Sequence, residues 1–220
     1  MSWNVEGVIR NIFNLKHFLE KHVPDMAFLS EPQVYSCNLD PVKKQLSGVY
    51  NFSLNSEDKL DPDIPLYKVK AQGGTMVLWK KELDPFISVL PTSSPSFLPI
   101  LFHPPDCTKS IHVAVYLPTH GLETKFVDEL SKLAAAITEI ISTDPETPVF
   151  LRGDFNVNQN NKKRSELLNH FCLKLGMYRA VFPKPTYHHF IGHGKSDSYL
   201  DQILCSESLI RKEEVDTFEC

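Results

Sequence analysis

Two hydrophobic periods alternate along the chain. Ile9, Ile12, Phe13, Leu15, Phe18 and Leu19 recur at helical spacing through "IRNIFNLKHFLEKHV", and Pro24 closes that segment. "DMAFLSE" follows, too apolar for a strand with one wet face, so it reads as a strand buried on both sides and ending on Glu31. A polar loop of Asn, Glu, Asp and Pro spans roughly Asn51 to Pro65. Beyond it, "GGTMVLWKK" (Gly73 to Lys81) and "SIHVAVYLP" (Ser110 to Pro118) read as strands, each apolar and β-branched. Thr124 to Ser142 is the clearest helix: Phe126, Leu130, Leu133, Ala134, Ile137, Ile140 and Ile141 share one stripe, and Asp144-Pro145 ends it. The strand "PVFLRGDFN", a weaker helix from about Lys163 to Leu175 and the strand-like "LDQILCS" (Leu200 to Ser206) complete the pattern.

Strands and helices mixed in this order predict an α/β sandwich of sheets covered by helices. A wholly parallel doubly wound sheet is the alternative. Its Gly-rich strand-to-helix turn is missing, because Gly73-Gly74 lead into a strand instead. The length of 220 residues with 42% hydrophobic content predicts one domain with a sizeable core. A formal net charge of −4 argues weakly against nucleic acid, although a local basic face and a neutralising Mg²⁺ are compatible with it. Five scattered cysteines without a C-x-x-C pair disfavour a disulfide framework or structural zinc and predict a reducing intracellular setting, nucleus or cytoplasm. No apolar run approaches the roughly 18 residues of a membrane span, and the N-terminus lacks a signal-peptide pattern.

Several strands meet residues that a simple core would not choose. Asn4 and Glu6 follow the first apolar residues, Glu31 follows "AFLS", Tyr116 sits in "AVYLP", Asp154 and Asn156 in "GDFN", and Asp201 in "SYLDQIL". Taken singly, an Asn or Glu after a strand closes a turn, and Asp154 with Asn156 makes an Asx-turn. Taken together on one edge, the four acids repel unless a cation or shared protons compensate. Oxygen ligands without Cys/His spacing point to Mg²⁺ or Mn²⁺, and Mg²⁺ that keeps waters and takes a phosphate points to phosphoester hydrolysis.

"SWNVEG", "FLSEPQ", "GGTMVLWKK", "VAVYLPTHG", "LRGDFNVN", "PTYHH" and "SYLDQIL", in this order, resemble the endonuclease/exonuclease/phosphatase superfamily, most of all the apurinic-endonuclease-like domain of non-LTR (LINE-type) retrotransposons. The resemblance implies a DNase I-like four-layer α/β/β/α sandwich of two mixed sheets and a DNA-nicking, Mg²⁺-dependent monomeric domain. It also implies a longer polyprotein carrying a reverse transcriptase. By the same resemblance Glu31 is the main metal ligand with Glu6 assisting, and Asn4 helps hold the metal and nucleophile region. Asp154 orients or deprotonates the attacking water, Asn156 donates to the scissile phosphate, and Tyr116 contacts that phosphate or the leaving oxygen. Asp201 is the acid that holds a histidine.

The family's closing Ser-Asp-His block does not occur in "CSESLIRKEEVDTFEC", and only Met1-Ser2 precede the tryptophan. The expectation is therefore a single domain over residues 1–220 lacking its last strand and final histidine motif, with impaired catalysis. His188, His189 and His193 in "TYHHFIGHGK" read first as surface polar residues. In LINE-like relatives the segment resembles a hairpin that flanks the DNA groove, where Thr186, His188 and Lys195 contact DNA and Phe190 or Ile191 wedges against bases. "NNKKR" (Asn160 to Arg164) reads as a solvated basic face opening a helix. Trp79 reads as core, and Arg152, inside a buried strand, calls for an acid partner. Alternatives to the retroelement nuclease are an abasic-site repair nuclease, another phosphoesterase of the superfamily such as an inositol polyphosphate phosphatase or a sphingomyelinase, and a degenerate non-catalytic binding module.

Overall fold

A computed structural model describes residues 1–46, 48–56, 71–158, 161–180, 187–191, 194–198 and 200–211. Two mixed sheets pack face to face. In chain order the elements of the first half are β1 (Ser2–Asn4), α1 (Ile12–His22), β2 (Met26–Ser30), α2 (Asp40–Leu46), β3 (Tyr50–Asn55), β4 (Thr75–Lys80), β5 (Ile87–Val89) and β6 (Phe97–Phe102). Then come β7 (Ser110–Tyr116), α3 (Glu123–Thr143), β8 (Val149–Asp154), α4 (Lys162–Leu175), β9 (Met177–Arg179), β10 (Tyr187–Ile191), β11 (Gly194–Ser198), β12 (Asp201–Ser206) and α5 (Glu207–Arg211). The first sheet runs β1-β2-β4-β3 and the second β5-β6-β7-β8-β12-β9, with β10-β11 as a separate antiparallel ribbon.

Three apolar clusters fill the three spaces between four layers, as expected of stacked sheets and helices. Leu15 and Leu19 of α1 and Val42 and Leu46 of α2 pack against Leu29, Met76 and Leu78 of the first sheet. Phe28, Val77, Trp79, Leu98, Ile100 and Ala114 fill the space between the sheets. Phe126, Leu130, Leu133 and Ile137 of α3 and Leu168 and Phe171 of α4 cover Val113, Val149 and Leu151 of the second sheet. β2 and β4 are therefore buried on both faces, which is why "AFLS" and "TMVLW" read as unbroken apolar runs. The α/β/β/α sandwich is the architecture expected from the residues, and Trp79 is core, 5% exposed.

Two expectations are corrected. The polar loop placed at Asn51 begins later, because Tyr50–Asn55 is a strand paired with Thr75–Lys80 of β4. Its polar residues alternate on a half-buried edge, where pairing rather than composition decides. β6, unread in the sequence, contains Pro99. The proline faces Val113 of β7 in register, while its carbonyl accepts from Leu90 N–H at 3.0 Å, so its missing donor is tolerated near the sheet edge.

Parallel pairing brings the site together. β1 lies parallel to β2 and β7 parallel to β8, so Asn4, Ser30, Tyr116 and Asp154 all leave their strands at the same end of the sandwich. β12 runs antiparallel to β8 and places Asp201 opposite Asp154 at its start; Asp201 opens a strand rather than closing one. Gly153 makes the close approach possible. Its φ is +144°, and a Cβ there would collide with the Val115 carbonyl of β7.

Candidate active site

At that shared end, Ser30 stitches the sheets together: its hydroxyl donates to Val115 O at 3.1 Å and accepts from Asp154 N–H at 3.3 Å. Asn4 makes the second stitch through its side-chain amide. Nδ2 donates to Glu31 Oε1 and to Asp154 Oδ2, both at 3.0 Å, so one amide group joins acids from two sheets. Asn4 Oδ1 accepts from Glu6 N–H at 3.2 Å, which folds the chain back after β1. Glu31 Oε2 accepts from Gln33 Nε2 at 2.7 Å. Gln33 lies inside the conspicuous "FLSEPQ" block, yet sequence reading gave it no role, since nothing local says that its side chain returns to Glu31.

The backbone here is unusual. Glu6, Glu31, Gln33 and Asn156 all have positive φ, between 44° and 52°. Non-glycine residues in this region cost about 1–3 kcal/mol each and persist only where surroundings hold them, as the hydrogen bonds of Gly7 N–H to Glu31 O (2.8 Å) and Gln33 N–H to Gly73 O (3.2 Å) do.

A cavity of about 540 Å³ opens over this end, lined by Asn4, Glu6, Glu31, Asp154, Asn156 and Asp201 among others, with no Lys or Arg among the described residues of its wall. Asp154 is 4% exposed. Burial pushes its carboxyl up to about 7, with the nearby Asp201 and Glu31 carboxylates adding to the rise. Asn156 N–H (2.9 Å to Oδ1) and the Asn4 amide oppose that rise. The Tyr116 phenol, hydrogen-bonded to Glu31, is also raised, first by burial and then by the Glu31 charge, and stays a neutral O–H donor. It lies level with Asp154 in the sheet and packs on Gly73, where a Cβ would sit 3.1 Å from the ring.

Six of the predicted residues thus line one cavity and the seventh, Tyr116, stands beside it. Asn156 gives one amide hydrogen to the Leu117 carbonyl at 2.8 Å, and the amide has a second to offer. The predicted DNA-contacting residues are less localised: His188 and Lys195 lie on the two strands of the β10–β11 ribbon, while Thr186 and His193 lie outside the described residues.

The donor set fits a hard divalent cation. Carboxylates line one wall with no Lys or Arg among its described residues, and burial first, then the Asp201 and Glu31 charges, drive Asp154 toward protonation. Among the described residues no cluster of three His, Cys, Asp or Glu side chains closes into a cage. Mg²⁺ requires none, since it takes one or two carboxylates and keeps its waters.

Beside this cavity a second, of about 750 Å³, shares Thr119, Asn156 and Leu200 with it and is otherwise lined by His120, Asn158, Asn161 and Lys162. The basic run at its rim departs from expectation. Lys162 and Lys163 are exposed or rim residues, but Arg164 is 0% exposed and fully engaged inside the protein.

The chain belongs to the endonuclease/exonuclease/phosphatase family, which matches residues 1–219. Among solved structures, the AP endonuclease LMAP from Leishmania major superposes with a TM-score of 0.73 at 15% identity, over 96% of this chain and 79% of that one. The endonuclease domain of TRAS1, a telomere-specific non-LTR retrotransposon, gives 0.65 at 13% identity, over 94% and 82%. The 3′ phosphatase NExo from Neisseria, bound to a product DNA hairpin, gives 0.67 at 13%, over 96% and 87%. No curated protein matches the sequence. At such identities the superpositions establish the fold. Among the described residues no helix is long and apolar enough to cross a membrane.

Proposed function

We propose that this chain is a Mg²⁺- or Mn²⁺-dependent phosphodiester hydrolase acting on DNA, the nicking endonuclease domain of a LINE-type retroelement. The observation that carries the reading is the Asn4 amide joining Glu31 to Asp154 at 3.0 Å each, with Tyr116 and Asp201 level with Asp154 on either side. Hydrolysis of a phosphodiester needs a positioned water, neutralisation of the non-bridging oxygens and help for the leaving alkoxide. Asp154, buried and poised near neutrality, accepts the proton of the attacking water or fixes its direction. The Asn4 amide and the Asn156 N–H hold one oxygen each of that carboxylate, which fixes its orientation in the cavity wall. The remaining amide hydrogen of Asn156 donates to a phosphate oxygen, and the neutral phenol of Tyr116, turning its one hydrogen from Glu31 to the substrate, donates to another as the new P–O bond forms and the old one breaks. A cation held by Glu31, with Glu6 beside it, supplies positive charge to the phosphate when bound. Asp201 raises the basicity of Asp154 through its charge.

The retroelement assignment draws on the seven-block resemblance and on the TRAS1 domain among the structural neighbours. A longer polyprotein with a reverse transcriptase, and a monomeric domain acting in nucleus or cytoplasm, belong to the same proposal. The test is nicking of supercoiled plasmid with Mg²⁺ or Mn²⁺, set against an abasic-site duplex, a 3′-phosphorylated end and an inositol polyphosphate. Plasmid nicking that Glu31→Ala and Asp154→Asn abolish supports the reading. Cleavage confined to abasic DNA or to a phosphomonoester replaces it with a repair nuclease or phosphatase, and Mn²⁺ binding without turnover replaces it with a binding module.

A further inference from the structure

Arg164 is the largest fully buried side chain among the described residues, and its guanidinium is saturated. Nε and Nη2 donate to the two carboxylate oxygens of Glu123 at 2.9 and 3.0 Å. Nη1 donates to the carbonyls of Pro118 (2.7 Å) and Asn156 (3.0 Å), and Nη2 also to that of Thr119 (2.8 Å). All five N–H donors of the group are used. The plane rests on the Phe126 ring, 4.2 Å from its centroid, and Asn161 Oδ1 caps the helix by accepting from Arg164 N–H at 3.2 Å.

The three carbonyls belong to the loops that carry the chemistry. Pro118 and Thr119 follow Tyr116, and Asn156 follows Asp154. Leu117 N–H to Asp154 O (2.9 Å) and Asn156 Nδ2 to Leu117 O (2.8 Å) join the same two loops from within. Thr119 and Asn156 also form the wall shared by the two cavities. A planar fork tied at one edge to a carboxylate and at the other to both loops fixes their separation, which a lysine ammonium cannot reproduce.

We infer that Arg164, oriented by Glu123, is a positioning residue that sets Asn156 and the Tyr116–Thr119 loop against Asp154; its catalytic consequence rests on the hydrolase reading above. Small displacements of reacting groups cost about 10- to 100-fold in rate.

Arg164→Lys and Glu123→Gln, each alone and combined with Asn156→Ala, are assayed for plasmid nicking alongside backbone hydrogen exchange. Arg164→Lys is expected to lower kcat by about 10- to 100-fold, with KM changed less than about threefold. In the Asn156→Ala background that loss should shrink without vanishing, because one of the two groups that Arg164 positions is gone while the Tyr116–Thr119 loop remains. Glu123→Gln should act in the same direction, less strongly, and it carries the test if Arg164→Lys does not fold. Exchange at residues 117, 119 and 154–156 should quicken in both variants while the sheet cores stay protected. An unchanged kcat, an undiminished loss in the Asn156→Ala background, or unaltered exchange in those loops overturns the inference. If the parent protein cuts no substrate, the hydrolase reading fails, and the exchange pattern alone still decides whether Arg164 holds the loops.

Discussion

Arg164 on α4 and Arg152 on β8 are held in opposite ways. Arg164 hands its five guanidinium hydrogens to one carboxylate and three carbonyls. Arg152, on β8, has no carboxylate within ion-pair reach among the described residues; its guanidinium lies 5.2 Å from the Phe28 and Phe150 ring centroids, and its Nε is buried without a hydrogen-bond partner. Burial holds its acidity above the usual arginine range. A saturated guanidinium rigidifies what it touches, whereas one held by ring faces fills space and leaves its donors unused. The site loops are built on the first kind.

The largest contrast is in removal. Arg164→Met takes the guanidinium away from Glu123 and from the Pro118 and Asn156 carbonyls, while Thr119 O keeps the Leu122 N–H at 3.3 Å, and should cost about 3–5 kcal/mol in urea unfolding, toward the lower end because Glu123 is partly exposed. A loss below about 1 kcal/mol there would erase the distinction.

An intermediate effect probes the surroundings of Arg152. His112 on β7 is 9% exposed, stacks on Phe150 at 4.9 Å and donates to or accepts from Ser110 Oγ through Nε2, while its Nδ1 is buried without a partner among the described residues. Burial, then the Arg152 charge, lower it to about 3 from 6.5. The unfolded chain therefore binds a proton below about pH 6.5 that the folded chain refuses, so stability falls as pH drops. Between pH 7 and pH 5 this one group should remove about 2 kcal/mol, at 1.36 kcal/mol per pH unit below the unfolded value. His112→Phe keeps the ring and should flatten that part of the profile in urea midpoints measured at both pH values; parallel profiles for the two proteins would show that His112 is not the sensitive group.

The smallest effect should come from Arg152 itself. Arg152→Met gives up two ring contacts but also removes a desolvated charge, so its stability should stay within about 1 kcal/mol of the parent. A loss matching that of Arg164→Met would mean that ring faces hold the cation as firmly as five hydrogen bonds.

These two residues also mark how much was legible in the sequence. Glu31 and Asp154 stood out because an acid ending an apolar run has no local use, and the helices at Ile12–His22 and Glu123–Thr143 announced themselves by period. Arg152 in "FLRGDF" called for an acid and is instead held by aromatic rings. "NNKKR" read as a solvated face, yet its last residue is buried. The error has one cause: apart from Asn156, eight residues away, Arg164's guanidinium partners are 41, 45 and 46 residues away at Glu123, Thr119 and Pro118, and no local window contains them. β3 was obscured because its strand state depends on pairing with β4 rather than on its own polar composition.

The sequence by itself determined which residue types are available for the chemistry and which segments must be buried, since both follow from side-chain polarity and its spacing. Only the tertiary structure decided that Asn4 spans from Glu31 to Asp154, that Asp201 enters from an antiparallel strand, and that a distant arginine clamps the loops. Each depends on the register and direction of strands far apart in the chain, and these are fixed by packing two sheets face to face.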